Sequence, residues 1–225
     1  MKIYRIARIL ILLAIPRLTL AQPAPNFKLS DQPSFTSPDG MLTVEPYIQQ
    51  PLGDSAHFEF WVFDKSRKHA CQLNRGETGD SSVYPAGFRF SPNSEWLVRM
   101  QKTDAGTSTL FLYHREGLRF VPATARALGD LAWDYFDTLP DSQIATGNLS
   151  PETDLIAGME NNYTSLGEHW PDSRYIVIGL SSGESGTTPV GPWHCVYDTQ
   201  TGHFSVPPDF AKFNREHKPA PQNPK

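Results

Sequence analysis

The chain has 225 residues, 39% of them hydrophobic and 20% charged, with a formal net charge of −4 at pH 7. That length fits one domain with a sizeable core. An acidic balance without a Lys/Arg cluster repels phosphate backbones, so neither nucleic acid nor an anionic membrane surface is expected as a partner.

Residues 1–21 read as an export leader. Lys2, Arg5 and Arg8 form a positive start, Ile9 to Ile15 an apolar centre, and Thr19-Leu20-Ala21 ends on a small residue suited to cleavage. The apolar run stops at Pro16 and Arg17, well short of the roughly 20 residues that span a bilayer. Stable membrane insertion is therefore not expected, and the mature chain should be exported to the periplasm or beyond the cell. Cleavage removes four basic residues (Lys2, Arg5, Arg8, Arg17) and no acidic one, leaving 16 basic against 24 acidic residues, a net charge of −8.

Residues 22–32 are rich in proline and polar side chains and should run extended into the fold. Residues 33–213 form the expected domain, which rests on a repeat. Ser34–Ile48 (SFTSPDGMLTVEPYI), Gly87–Met100 (GFRFSPNSEWLVRM) and Gly167–Leu180 (GEHWPDSRYIVIGL) each lead an aromatic residue into a Pro-Asp/Asn-Gly/Ser turn and an apolar strand. An aromatic strand follows each: Glu59–Asp64, Thr109–His114 and Trp193–Asp198. Short β-branched and aromatic runs bounded by turn residues predict strands throughout. Repeats of this size belong to propellers, solenoids or arrays. Ala123–Leu139 breaks the pattern, with apolar residues at Leu128, Leu131, Ala132, Tyr135, Phe136 and Leu139 at helical spacing. One short helix ending at Pro140 is predicted there. Ser150–Glu160 reads as a weak turn-strand, a candidate fourth unit. Residues 214–225 are polar and proline-rich and should be disordered.

Phe90-Ser91-Pro92-Asn93-Ser94 with Leu112-Tyr113 and Gly117, and Val196-Tyr197-Asp198 with Gly202, carry a resemblance to the blades of WD-like and Tol-type β-propellers. The resemblance implies four-stranded antiparallel blades. Three to four units lie at or below the lower end of the 4–8 blades of a usual ring, so the fold class expected is all-β, a propeller-like antiparallel meander that forms an incomplete propeller, with one short helix. A dimer completing the ring is compatible with that count. Taken whole, the chain also resembles small secreted bacterial proteins.

For chemistry, Gly179-Leu180-Ser181-Ser182-Gly183 matches a nucleophile elbow in form, with Asp198 and His203 downstream in hydrolase order. The following Gly/Ser/Pro run cannot supply the helix an elbow needs, so a hairpin loop is the stronger reading and Ser181, Asp198 and His203 the alternative. His169, His194 and His203 fall in one unit without metal-ligand spacing, and no metal or cofactor is expected. Asp134 and Asp137 read as a solvated helix face. Cys71 and Cys195 could pair in an oxidising compartment or remain separate thiols. Insertions into a repeat scaffold tend to carry its binding face. Trp133, Tyr135 and Tyr163 in the insertion, with Trp193 at the end of the 181–193 loop, are therefore the expected binding residues. The function expected is a non-enzymatic module that binds a protein or a glycan, with a carbohydrate-binding module as a further alternative.

Overall fold

A computed structural model describes residues 22–50, 56–73, 83–104, 106–140, 142, 151–155, 170, 173–182 and 190–217. The expected leader at 1–21, and Tyr163 and His169, lie outside these residues.

The described chain is mostly β-sheet, with two short helices and no closed barrel among the described residues. It builds three four-stranded antiparallel units. Unit 1 is β2 (Phe35–Thr36), β3 (Leu42–Gln49), β4 (His57–Asp64) and β5 (Ala70–Gln72). Unit 2 is β6 (Ala86–Phe90), β7 (Trp96–Asp104), β8 (Thr107–Glu116) and β9 (Arg119–Pro122). Unit 3 is β10 (Pro151–Leu155), β11 (Tyr175–Ser182), β12 (Val190–Asp198) and β13 (His203–Ser205). Helix α1 (Leu128–Asp137) lies between units 2 and 3 in the chain, and α2 (Pro208–Glu216) follows unit 3.

Three sequence expectations change here. The candidate fourth unit is the first strand of unit 3: β10 pairs with β11 and touches β8 through a single parallel bridge, Glu152–Ser108. The segment before residue 33 already belongs to the sheet, because β1 (Lys28–Leu29) pairs with Ile48 and Tyr47 of β3. The disorder expected from residue 214 is overturned for its first residues. Helix α2 runs through Glu216, and Asn214 is buried.

Side chains alternate between the two faces of a strand, and both faces of these units are apolar. On β7 and β8, Leu97, Phe111 and Tyr113 pack with Leu42, Val44, Phe60 and Val62 of unit 1. From the same two strands Val98, Leu110 and Leu112 point the other way, into a core with α1 and with Ile176, Ile178, Leu180, Trp193 and Cys195 of unit 3. The opposite face of unit 3 repeats the pattern, as Val177 and Val196 pack against Phe210 of α2. The units are thus stacked face to face and end on a helix. At the other end, the rear face of unit 1 carries its own polar cover. The Arg67 guanidinium lies 4.4 Å from the centre of the Phe63 ring and pairs with Glu45, Nη2 to Oε2 at 3.0 Å.

The Pro-Asp/Asn-Gly/Ser turns set the register of the stack. In units 1 and 2 the serine before the proline donates its hydroxyl to the Asp39 or Asn93 side chain, at 2.6 and 2.7 Å. The same side-chain oxygens accept from the backbone N–H of Met41 and Glu95, at 3.0 and 3.1 Å. The closed Asx turns of units 1 and 2 place their fourth residue in the left-handed region, Gly40 at φ 67° and Ser94 at φ 63°, and Ser173 of unit 3 takes the same conformation at φ 64°. Serine there is uncommon and carries strain. Its use is visible one unit back. Asp39 N–H donates to Ser94 Oγ, and Asn93 N–H donates to Ser173 Oγ, both at 3.0 Å. Each turn is therefore hydrogen-bonded to the next one. Gly40, in the first of these turns, has no hydroxyl to offer. Arg115 of unit 2 adds an ion pair to Asp39 at 2.6 Å. Burial pushes the Asp39 carboxyl up, but hydrogen bonds from Ser37, Arg115 and Met41 outweigh it and hold the pKa at about 2.

Ser94 is fully buried. Ser94→Ala removes the acceptor while keeping the left-handed strain, and it should destabilise the fold by about 1–3 kcal/mol. Ser94→Gly relieves the strain and should cost less. Urea denaturation of the three proteins checks the order.

Candidate functional site

Helix α1 interrupts the chain between units 2 and 3, and its amphipathic pattern explains its seat. Leu128, Gly129, Ala132 and Phe136 are buried against the sheets, while Asp130, Asp134 and Asp137 are exposed. Gly129, which weakens the helix by propensity, is what lets it approach. A Cβ there would stand 2.3 Å from Thr109 Oγ1 and 3.0 Å from the backbone nitrogen of Leu110. The expected surface carboxylates are where the sequence put them, with Asp134 paired to Arg126 at 2.6 Å.

The helix meets unit 3 through aromatic rings. Phe136 is edge-on to Trp193 at 5.0 Å and to Trp133 at 5.6 Å. Tyr135 lies 6.3 Å from Trp193 and stacks on Phe204 of β13 at 5.5 Å and 17°. Phe204 in turn contacts Tyr197 at 4.9 Å. The structure thus brings together three of the four expected binding residues, Trp133, Tyr135 and Trp193. It gives them different positions. Trp193 is only 4% exposed and belongs to the core, which removes it from the expected binding residues. Trp133 is half-buried and held by an indole N–H donated to Thr153 Oγ1 at 3.1 Å. Tyr135 and Phe204 are half-buried at the rim. Sequence reasoning missed Phe204. The signal was the Thr201-Gly202 turn, which returns a strand beside β12 and sets Phe204 opposite Tyr197.

The alternative hydrolase does not assemble. Asp198 and His203 are register partners at one end of the β12–β13 hairpin. Ser181 lies at the other end of β11, six residues beyond the Tyr175 that pairs with Asp198, which is about 20 Å of extended strand. Ser181 also sits inside the strand, opposite Glu152 of β10, rather than on a turn into a helix. Asp198 is engaged by Arg174, with bonds of 3.0 and 2.7 Å, and this pairing above all holds its carboxyl well below the usual range. Its role is to fix the turn after β12.

The thiols stay apart. Cys71 is on β5 of unit 1 and Cys195 is buried on β12 of unit 3, and both are free, so the disulfide allowed by the sequence does not form. Burial pushes the Cys71 thiol up, and the fully buried Cys195 further. Among the described residues no group of three or more His, Cys, Asp or Glu is placed to hold a metal ion. His203 is exposed, whereas His194 is buried under α2. No described helix is long and apolar enough to cross a membrane.

No protein-family model and no curated protein matches the chain. Among solved structures, TolB from Acinetobacter baumannii aligns over 80% of this chain at 13% identity, with a TM-score of 0.34. The aligned region spans 32% of the TolB chain. A likeness that slight defines no common fold.

Gly129→Ala should push α1 away from β8 and cost about 1–3 kcal/mol, as overpacking does, despite alanine's better helix propensity. Thermal unfolding followed by circular dichroism checks the sign.

Proposed function

We propose that the protein is an exported, non-enzymatic interaction module built on three propeller-like units, an incomplete propeller in form, which binds a partner protein through the rim of α1 and β13. The observation that carries this reading is the seat of α1. The helix is fixed to unit 3 by ring contacts, yet it leaves Tyr135 and Phe204 half-exposed on a rigid base. Loops and insertions on a rigid scaffold are where such proteins make contacts. Half-exposed aromatic residues supply much contact area at little entropic cost. The exposed Asp130, Asp134 and Asp137 on the same helix favour a partner with basic side chains nearby.

A protein fits this rim better than a glycan. Sugars stack on open ring faces, and Tyr135 and Phe204 already stack on each other. A second copy that completes a ring is disfavoured because both terminal faces have covers: the Arg67–Glu45 pair on unit 1 and α2 on unit 3.

A photo-crosslinking residue placed at Tyr135 should yield a discrete protein adduct from a cell-envelope extract, and the same residue at Lys65 should not. Equal adducts from both positions, or none from Tyr135, contradict the assignment of this rim. A saturable change in tryptophan fluorescence on titration with glycans would favour the carbohydrate reading instead.

A further inference from the structure

Helix α2, the last described element, packs Phe210 on unit 3 and is hydrogen-bonded to it at His194. The His194 backbone N–H donates to Asn214 Oδ1 at 2.7 Å, and its carbonyl accepts from Asn214 Nδ2 at 2.9 Å. On that edge of β12 the partner strand β13 pairs only with Val196, Tyr197 and Asp198. The Asn214 amide therefore continues the ladder where β13 stops, and two residues further on Pro192 has no N–H to offer. The His194 ring is enclosed by the same helix. It stacks on Phe213 at 4.3 Å and 10°, and Phe210 meets it edge-on at 5.8 Å. Phe213 then stacks on His217 at 4.0 Å. The His194 side is 4% exposed, and its Nδ1 has no hydrogen-bond partner among the described residues.

We infer that α2 is a proton-sensitive latch: protonation of His194 releases the helix from β12 and uncovers the apolar face of unit 3 together with the strand edge at residue 194. A neutral imidazole tolerates this apolar seat, but a cation does not. Among the described residues no ion pair reaches the His194 ring; the nearest carboxylate in register is Asp154 of β10, one strand further on and across Gly179. β11 presents Tyr175, Val177 and Gly179 on this face, and β12 presents Val196 and, further along, Asp198, which Arg174 already engages. β13 brings His203 and Ser205, and α2 brings Phe210, Phe213, Asn214 and, behind Phe213, His217. Burial first, and His217 second, lower the His194 pKa from 6.5 to about 4. The sign follows from linkage. With α2 undocked, His194 takes up a proton near its ordinary pKa, so docking weakens as the pH falls below 6.5 and the loss is complete below about 4. At pH 5 this favours the open form by about 30-fold over pH 7.5.

The test is hydrogen exchange on the full chain, compared as protection factors at pH 7.5 and pH 5. Amides of α2 should lose about 30-fold in protection while those of β8 keep theirs. His194→Phe, which keeps the stack on Phe213 and cannot titrate, should abolish the difference, and His194→Leu serves if that variant does not fold. The inference is overturned if α2 and β8 change together, if α2 keeps its protection at pH 5, or if the non-titrating variant loses α2 as the wild type does.

Discussion

A sheet that is apolar on both faces must be covered on both, and this constraint organises the molecule. Unit 2 shows it most plainly. Leu97, Phe111 and Tyr113 need one neighbour, and Val98, Leu110 and Leu112 need another. At roughly 25 cal/mol per Å² of apolar surface buried, neither face can be left to water without losing much of the net stability of a domain. Units 1 and 3 follow as its two covers. Each then carries the same problem to its own far side. The solutions at the ends differ: an ion pair laid over Phe63 at the front, and a helix that inserts Phe210 at the back.

Burial of this kind has no direction, so it cannot alone decide how one unit slides over the next. The turn ladder supplies that information. Ser94 and Ser173 accept strained backbone in order to place a hydroxyl under the amide of the preceding turn. Arg99 shows how demanding the interface is. It is 1% exposed, bonded to Gln101 at 3.0 Å, and its guanidinium lies 4.9 Å from the Phe60 ring and 4.8 Å from the Phe111 ring. A buried guanidinium between two aromatic faces requires both units to be in place, since the rings come from unit 1 and unit 2.

Much of this was legible in the sequence, because strands and turns are local. The Pro-Asp/Asn-Gly/Ser turns and the alternating aromatic strands announced the three units, and the helical spacing from Leu128 to Phe136 announced α1. What stayed hidden depends on contacts distant in the chain. Serine at the fourth turn position reads as an ordinary turn residue, and its bond to a turn 55 residues away has no sequence signature. Helix α2 is hidden because its last residues, from Asn214, share the polar composition of the tail, although proline at the first turn and Phe210 and Asn214 four apart are a sound local signal. Trp193 is expected among the binding residues from its place at the end of a loop, whereas the rings of Tyr135 and Phe136 on α1 lie against it in the core. Asp198 and His203 seemed to complete a triad because chain order is visible and the length of a strand between two groups is not.

The central claim is that hydrogen bonds between exposed turns hold the units in register. The most direct measurement is the exchange rate of the Asp39 and Asn93 backbone amides, resolved residue by residue by NMR. Both residues are exposed, so their amides would exchange quickly as ordinary turn amides. The account predicts that they exchange as slowly as core amides of β7 and β8. Exchange at the rate of free surface turns would show that the ladder does not hold the stack together.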